Sequence, residues 1–132
     1  MNDDSLNLLL FSVWGVSFGI DADQVAEITA YKAETEDLVW FHDEMGYGDK
    51  KLRYHSPTIV TIKTDREMPY RVIIDSMQDI TQFNWNDITP FPALMEPFSL
   101  QMGMWGILSR QGSMVLLLDF QRLLRNKLNE LK

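Results

Sequence analysis

Residues 105–124 read Trp-Gly-Ile-Leu-Ser-Arg-Gln-Gly-Ser-Met-Val-Leu-Leu-Leu-Asp-Phe-Gln-Arg-Leu-Leu, and their reading decides the fold. Two apolar runs, 105–108 and 114–118, flank the polar connection Ser109-Arg110-Gln111-Gly112-Ser113. Short apolar runs joined by a glycine-containing turn signal a β-hairpin. Asp119 then stands where an N-cap carboxylate accepts from free backbone N–H groups. Phe120, Leu123, Leu124, Leu128 and Leu131 follow at i, i+3 and i+4 spacing, the apolar stripe of an amphipathic helix. A hairpin running directly into a terminal helix is predicted.

Period-two alternation dominates the rest of the chain. In Val16-Ser17-Phe18-Gly19-Ile20 the large residues fall on every second position, after a Trp14-Gly15 turn that follows apolar residues 8–11. Residues 58–63 and 70–75 make a further pair across Thr64-Asp65-Arg66-Glu67-Met68-Pro69, a polar connection closed by proline. The chain is predicted to be mainly β, with one C-terminal α-helix.

Compared with itself, the chain shows an internal duplication. At an offset of 52, Phe18-Gly-Ile-Asp-Ala-Asp-Gln-Val-Ala-Glu-Ile-Thr29 lies over Tyr70-Arg-Val-Ile-Ile-Asp-Ser-Met-Gln-Asp-Ile-Thr81, matching Asp23 with Asp75, Ile28 with Ile80 and Thr29 with Thr81. At an offset of 76, Val39-Trp-Phe-His-Asp43 lies over Val115-Leu-Leu-Leu-Asp119. The growth in offset means that the first copy lacks 24 residues, corresponding to the 90–112 stretch with its strand at 105–108. We therefore expect a single domain of two lobes, a reduced first lobe over 1–57 and a complete second lobe with the terminal helix over 58–132.

Composition narrows the function. The chain has 132 residues, no cysteine, 12 Lys+Arg and 19 Asp+Glu, for a net charge of −7. Disulfide frameworks, zinc–thiolate clusters and thiol nucleophiles are excluded. Nucleic acid is a poor partner, because sequence-independent affinity for it comes from cations neutralising phosphates. No apolar stretch approaches the ~20 residues of a membrane span, and Met1-Asn2-Asp3-Asp4 is acidic where a secretory signal would be basic. A soluble cytoplasmic protein is expected. Its charge is uneven: residues 1–49 hold eleven acids and one base, whereas 50–132 hold eight acids and eleven bases.

Residues 8–29, Tyr70-Arg-Val-Ile-Ile-Asp-Ser-Met, Asn86-Asp-Ile-Thr-Pro-Phe-Pro92 and the opening 105–124 stretch together resemble the CheW-like adaptor family of bacterial chemotaxis. The resemblance implies two intertwined SH3-like β-barrels. It also implies a non-catalytic scaffold that links chemoreceptors to a CheA-like histidine kinase. Family members carry a Gly-x-x-Asn-x-Arg-Gly-like strand between the counterparts of Ile28 and Val39, and its Arg-Gly turn is implicated in receptor and kinase contact. Here that interval is the short, acidic 29–38 segment. Standard receptor coupling lacks its usual residues.

No catalytic, metal or cofactor site is assigned from the sequence. His42 and His55 sit near Asp43, Glu44 and Asp49, but their spacing fits no metal-ligand pattern, and a strand-end histidine is the simpler reading. Glu34 and Glu36 read as a solvated acidic loop. Gly46-Tyr-Gly-Asp-Lys-Lys51 lacks the glycine spacing and the hydroxyl of a phosphate loop. Ser12, Ser17 and Ser56 have no nucleophile-elbow context.

Interaction residues are more legible. Phe91, Pro92, Met95, Pro97, Phe98, Met102, Met104 and Trp105 crowd into fifteen positions with no period that would bury them all. Some pack under the loop, and the rest are expected to form an adhesive patch of the type rich in Met and aromatics. Loss of the strand before Val39 also leaves a sheet edge open beside Trp40 and Phe41, to be covered, blunted by the acidic 31–37 segment, or paired with a second copy or another chain. The candidate partner-binding residues are Trp40, Phe41, Met77, Ile80, Phe91, Met102, Met104 and Trp105. The competing expectation is a small β-barrel enzyme or ligand carrier whose pocket is lined by the Trp/Phe/Met cluster.

Overall fold

Alternating residues and tight turns build the strands where the sequence places them. The computed structural model describes residues 5–33, 37–46 and 53–130. Along the chain come β1 (Ser5–Val13), β2 (Val16–Asp21), a 3₁₀ turn (Ala22–Gln24), β3 (Val25–Ala30), β4 (Leu38–Trp40) and the one-turn α1 (Phe41–Glu44). There follow β5 (Thr58–Ile62), β6 (Tyr70–Ile74), β7 (Ile80–Asn84), a second 3₁₀ turn (Trp85–Asp87), β8 (Ile88–Thr89), α2 (Glu96–Gln101), β9 (Met104–Arg110), β10 (Ser113–Leu118) and α3 (Phe120–Glu130). The fold is mainly β, with strongly curled sheets and the predicted terminal helix, consistent with SH3-like lobes.

All three hairpins form. The turn of the first is Trp14 at φ 57° and Gly15 at φ 81°, the double positive-φ geometry that matches strand twist. Gln111 at φ 50° and Gly112 at φ 80° do the same between β9 and β10, so Arg110 and Ser113 are paired strand residues and the connection is tighter than the sequence suggested. Asp119 caps α3 by accepting from the Arg122 N–H at 3.0 Å.

The strands form a six-stranded sheet in the order β7-β1-β2-β10-β9-β8 and a four-stranded sheet in the order β3-β5-β6-β4. Strand registers make the duplication geometric. Leu9 faces Ile20 and Ile80 in one sheet, as Val60 faces Val72 and Ile28 in the other. Ile28 and Ile80 thus hold the same place, as the 52-residue offset requires. The second match needs correction. Val39 lies beside Val72 and Leu118 beside Ile20, so Val39 answers to Leu118 at an offset of 79, not to Val115 at 76. Phe41 then answers to Phe120, each the first residue of a helix and each buried. The first copy lacks 27 residues, those of β8, α2 and β9, because helix starts set the register and the Asp43/Asp119 identity does not.

Packing crosses the sequence boundary at 57/58. β3 and β4 flank the β5–β6 hairpin, and β7 and β10 flank the β1–β2 hairpin, so each unit's hairpin sits between strands of the other unit. β1 is buried on both faces. Its Leu9, Phe11 and Val13 join Phe18, Phe41, Val60, Val72, Leu118, Phe120 and others in a core shared between the sheets. Its Leu6, Leu8 and Leu10 join Leu108, Val115 and Leu117 in a second core inside the six-stranded sheet. Gly19 leaves room there: a Cβ would lie 3.2 Å from both Leu10 Cδ2 and Leu117 Cδ2, so those side chains would have to shift by a few tenths of an ångström. By strand alternation, the opposite face of the four-stranded sheet carries buried Ile59 and Ile73, with Trp40 in register beside Ile73.

Candidate functional site

The eight candidate interaction residues do not form one surface. They fall into three groups, and burial separates them.

The first group is the end of β4. Trp40 is half-buried, edge-on to Tyr54 with centroids 4.9 Å apart and 5.3 Å from Tyr31. This aromatic trio stands where the longer copy has further strands. Phe41 is 1% exposed and packs against Phe11, Phe18 and Phe120, so it offers no surface to a partner. The alternation that would have turned it outward ends at Trp40, because Phe41 opens α1 and points with the helix into the shared core.

Helix α1 also places a buried acid. Glu44 accepts from the Tyr70 hydroxyl and, at 2.6 Å, from Lys127 Nζ on α3. Burial, reinforced by the Glu44 carboxylate, pushes Tyr70 well above the usual tyrosine range. The pairing fixes α1 to α3, and loss of one partner would strand a buried charge. Tyr54 accepts from the His42 backbone N–H at 3.1 Å, and its oxygen lies 3.0 Å from His42 Nδ1. Burial raises its pKa to about 12 against the lowering effect of that backbone hydrogen bond. These polar contacts tie local structure together, and among the described residues no three His, Asp or Glu side chains gather as metal ligands. Residues 1–4, Glu34, Glu36, residues 47–52 and Leu131 lie outside the described residues.

The second group, Met77 and Ile80, is exposed at 40% and 51%. Asp75 sets up this segment. Its buried carboxylate accepts from the backbone N–H groups of His55, Ser56 and Ser76 at 3.0, 2.6 and 2.9 Å. The chain then crosses to the other sheet, where the Gln78 N–H donates to Leu10 O at 2.7 Å. A cleft of about 270 Å³ next to it is lined by Leu10, Phe11, Ser17, Gln78, Ser113 and Val115. Exposed Trp14 and Val16 belong to the β1–β2 hairpin and exposed Met114 to the β9–β10 hairpin, with Val16 and Met114 turned by strand alternation to the opposite face of the sheet from Ser17 and Val115. Sequence reasoning missed these three. The signal was present in the Trp at a hairpin tip and in the strand position out of phase with Val115.

The third group divides. Met102 and Met104 are half-buried against the shared core, and Trp105 is half-buried against the second core with Trp85 at 5.7 Å. Phe91 is half-buried. The outward members of the stretch are Leu94 at 88%, Phe98 at 72% and Met95, carried by α2 and the turn before it. The Trp/Phe/Met cluster therefore parts between two cores and solvent and does not enclose a common space.

No protein-family model matches the chain, and no curated protein matches it by sequence. Its structure is similar to the crystal structure of the scaffolding protein TtCheW from Thermoanaerobacter tengcongensis. The TM-score is 0.63 over 86% of this chain and 88% of that one, at 15% identity. Among the described residues no helix is long and apolar enough to cross a membrane. A sequence too distant for recognition by identity has folded into the CheW-like architecture.

Proposed function

We propose that the protein is a non-catalytic signalling adaptor of a bacterial chemotaxis-type pathway, acting in the cytoplasm. Its partner is the regulatory domain of a CheA-like histidine kinase, with a chemoreceptor as a further partner. The observation that carries this reading is the exposed apolar set Met77, Ile80, Trp14, Val16 and Met114 on a CheW-like fold. Apolar side chains held on the strands and turns of a rigid sheet suit surface presentation, since fixed anchors lose little entropy on docking. The ligand-carrier alternative needs a closed pocket with convergent polar groups. The division of the Trp/Phe/Met cluster between two cores and solvent speaks against it. The free side of β4 is a further contact, for a second copy of this chain or another sheet edge.

The deciding experiment is calorimetric titration of the protein with the regulatory domain of the CheA-like kinase from the same cell. Binding is expected, and Ile80→Asp with Met77→Asp is expected to weaken it about tenfold or more. Unchanged affinity in the double variant removes this face from the mechanism. Failure to bind, together with recovery of neither kinase nor receptor on co-purification from the native cytoplasm, overturns the adaptor reading.

A further inference from the structure

The leucine stripe of α3 is only partly consumed by packing. Phe120 and Leu123 are buried in the shared core, whereas Leu124 and Leu128 are half-buried and look into an open groove of about 420 Å³. The opposite wall is the connection between β5 and β6, and Lys63, Asp65, Arg66 and Arg125 line the groove with the two leucines. Both walls are held in place. Gln121 Nε2 donates to Lys63 O at 2.9 Å, and the Lys63 N–H donates to Gln24 O at 2.8 Å. Gln24 in turn accepts from the Phe120 N–H at 3.1 Å and donates to Asp119 Oδ1 at 2.9 Å.

Lys63, Arg66 and Arg125 form no ion pair among the described residues, and Asp65 is the one acid on the lining. Three cations around two leucines make a basic, partly apolar groove on a protein whose net charge is −7. A nucleic-acid strand would meet that unfavourable overall charge, and a small inorganic anion has no use for the leucines. A peptide with both carboxylates and apolar side chains satisfies every part of the lining. We propose that this groove docks an acidic amphipathic segment of a partner protein, its apolar side chains on Leu124 and Leu128 and its carboxylates at Lys63, Arg66 and Arg125. The site is separate from the apolar face around Met77 and Ile80 and stands or falls independently of it.

The probe is a fluorescein-labelled helical Glu/Leu peptide of about four turns, with leucines at i, i+3, i+4 and i+7. Two readouts are used, fluorescence anisotropy and methyl NMR of the unmutated protein. Saturable binding is expected, with shifts at the Leu124 and Leu128 methyls. Arg66→Glu with Arg125→Glu should weaken it about tenfold or more, and Leu128→Ser about fivefold, with the unfolding midpoint unchanged because these side chains are exposed or half-exposed. The proposal is overturned by absence of binding, or by equal affinity for a Glu/Ser peptide without leucines. Methyl shifts confined to residues outside the groove overturn it equally. A dimer of the protein alone that Arg125→Glu dissolves would assign the groove to a second copy and overturn the partner segment.

Discussion

The four-stranded sheet β3-β5-β6-β4 and the run β7-β1-β2-β10 of the six-stranded sheet are built to one plan. Each has an antiparallel hairpin at its centre, flanked by two strands of the other sequence unit, one antiparallel to it and one parallel and leading into a helix. They diverge after that parallel strand. Beyond β10 lie β9 and β8, which help to enclose a leucine-rich second core; beyond β4 there is no further strand among the described residues. The four-stranded sheet carries Ile59, Ile73 and Trp40 on the corresponding face, with Tyr31 and Tyr54 against Trp40. That sheet remains folded because its other face is covered by β1, β2 and β10 of the six-stranded sheet and by α3. A duplicated unit that interleaves with its twin can shed two strands, since the hydrophobic area buried in the shared core does not depend on them.

The largest expected effects come from breaking that shared core. Phe41→Ala and Phe120→Ala should each cost about 3–5 kcal/mol in urea unfolding. Their rings meet edge-on at 6.1 Å, so the double variant should show a coupling of about 1 kcal/mol. Phe41→Ala combined with Leu108→Ala in the second core should be additive to within about 0.5 kcal/mol. Strong coupling in that last pair would mean that the two cores are one.

Alkali should separate the sheets more gently. Tyr54 and Tyr70 pack beside β4 and on β6, and the second core holds no titratable group. Tyr54 is raised to about 12 by burial, and Tyr70 is raised further. An unfolded tyrosine ionises near pH 10, so their contribution is complete below pH 10 and is lost as pH rises through the folded values. Between pH 10 and 12, hydrogen exchange should accelerate in β4–β6 before β9–β10. Uniform acceleration would contradict the difference between the sheets.

The smallest effect concerns the free side of β4. Three residues of open edge offer few hydrogen bonds, so self-association through it should be weak, with a dissociation constant on the order of 0.1 mM or above. Sedimentation at high concentration should reveal a dimer that Leu38→Lys suppresses. A strictly monomeric protein would leave β4 as a closed edge covered by its own aromatic residues.

Local chemistry made much of this readable in advance. The 105–124 stretch foretold a hairpin, an Asp cap and a helix, because turn dihedrals, capping and side-chain period are set by near neighbours. Alignment of Ile28 with Ile80 was legible because both occupy equivalent ladder positions. Phe41 was misread as surface because the strand before it is only three residues long, and nothing local marks where period two gives way to a helix. Trp14, Val16 and Met114 were overlooked for a related reason: they sit on two hairpins distant in sequence, which only the pairing of β2 with β10 brings side by side.

Composition, turns, caps and periodicity are properties of the chain at short range, so the sequence by itself determined a β-rich fold, its three hairpins, its terminal helix and the fact of a shortened repeat. Tertiary structure alone decided that each unit's hairpin pairs with strands of its twin, that Phe41 matches Phe120, and that Leu124 and Leu128 remain beside Lys63, Arg66 and Arg125. Those outcomes depend on which distant surfaces meet and how much apolar area each can cover, and neither quantity resides in a short window of the sequence.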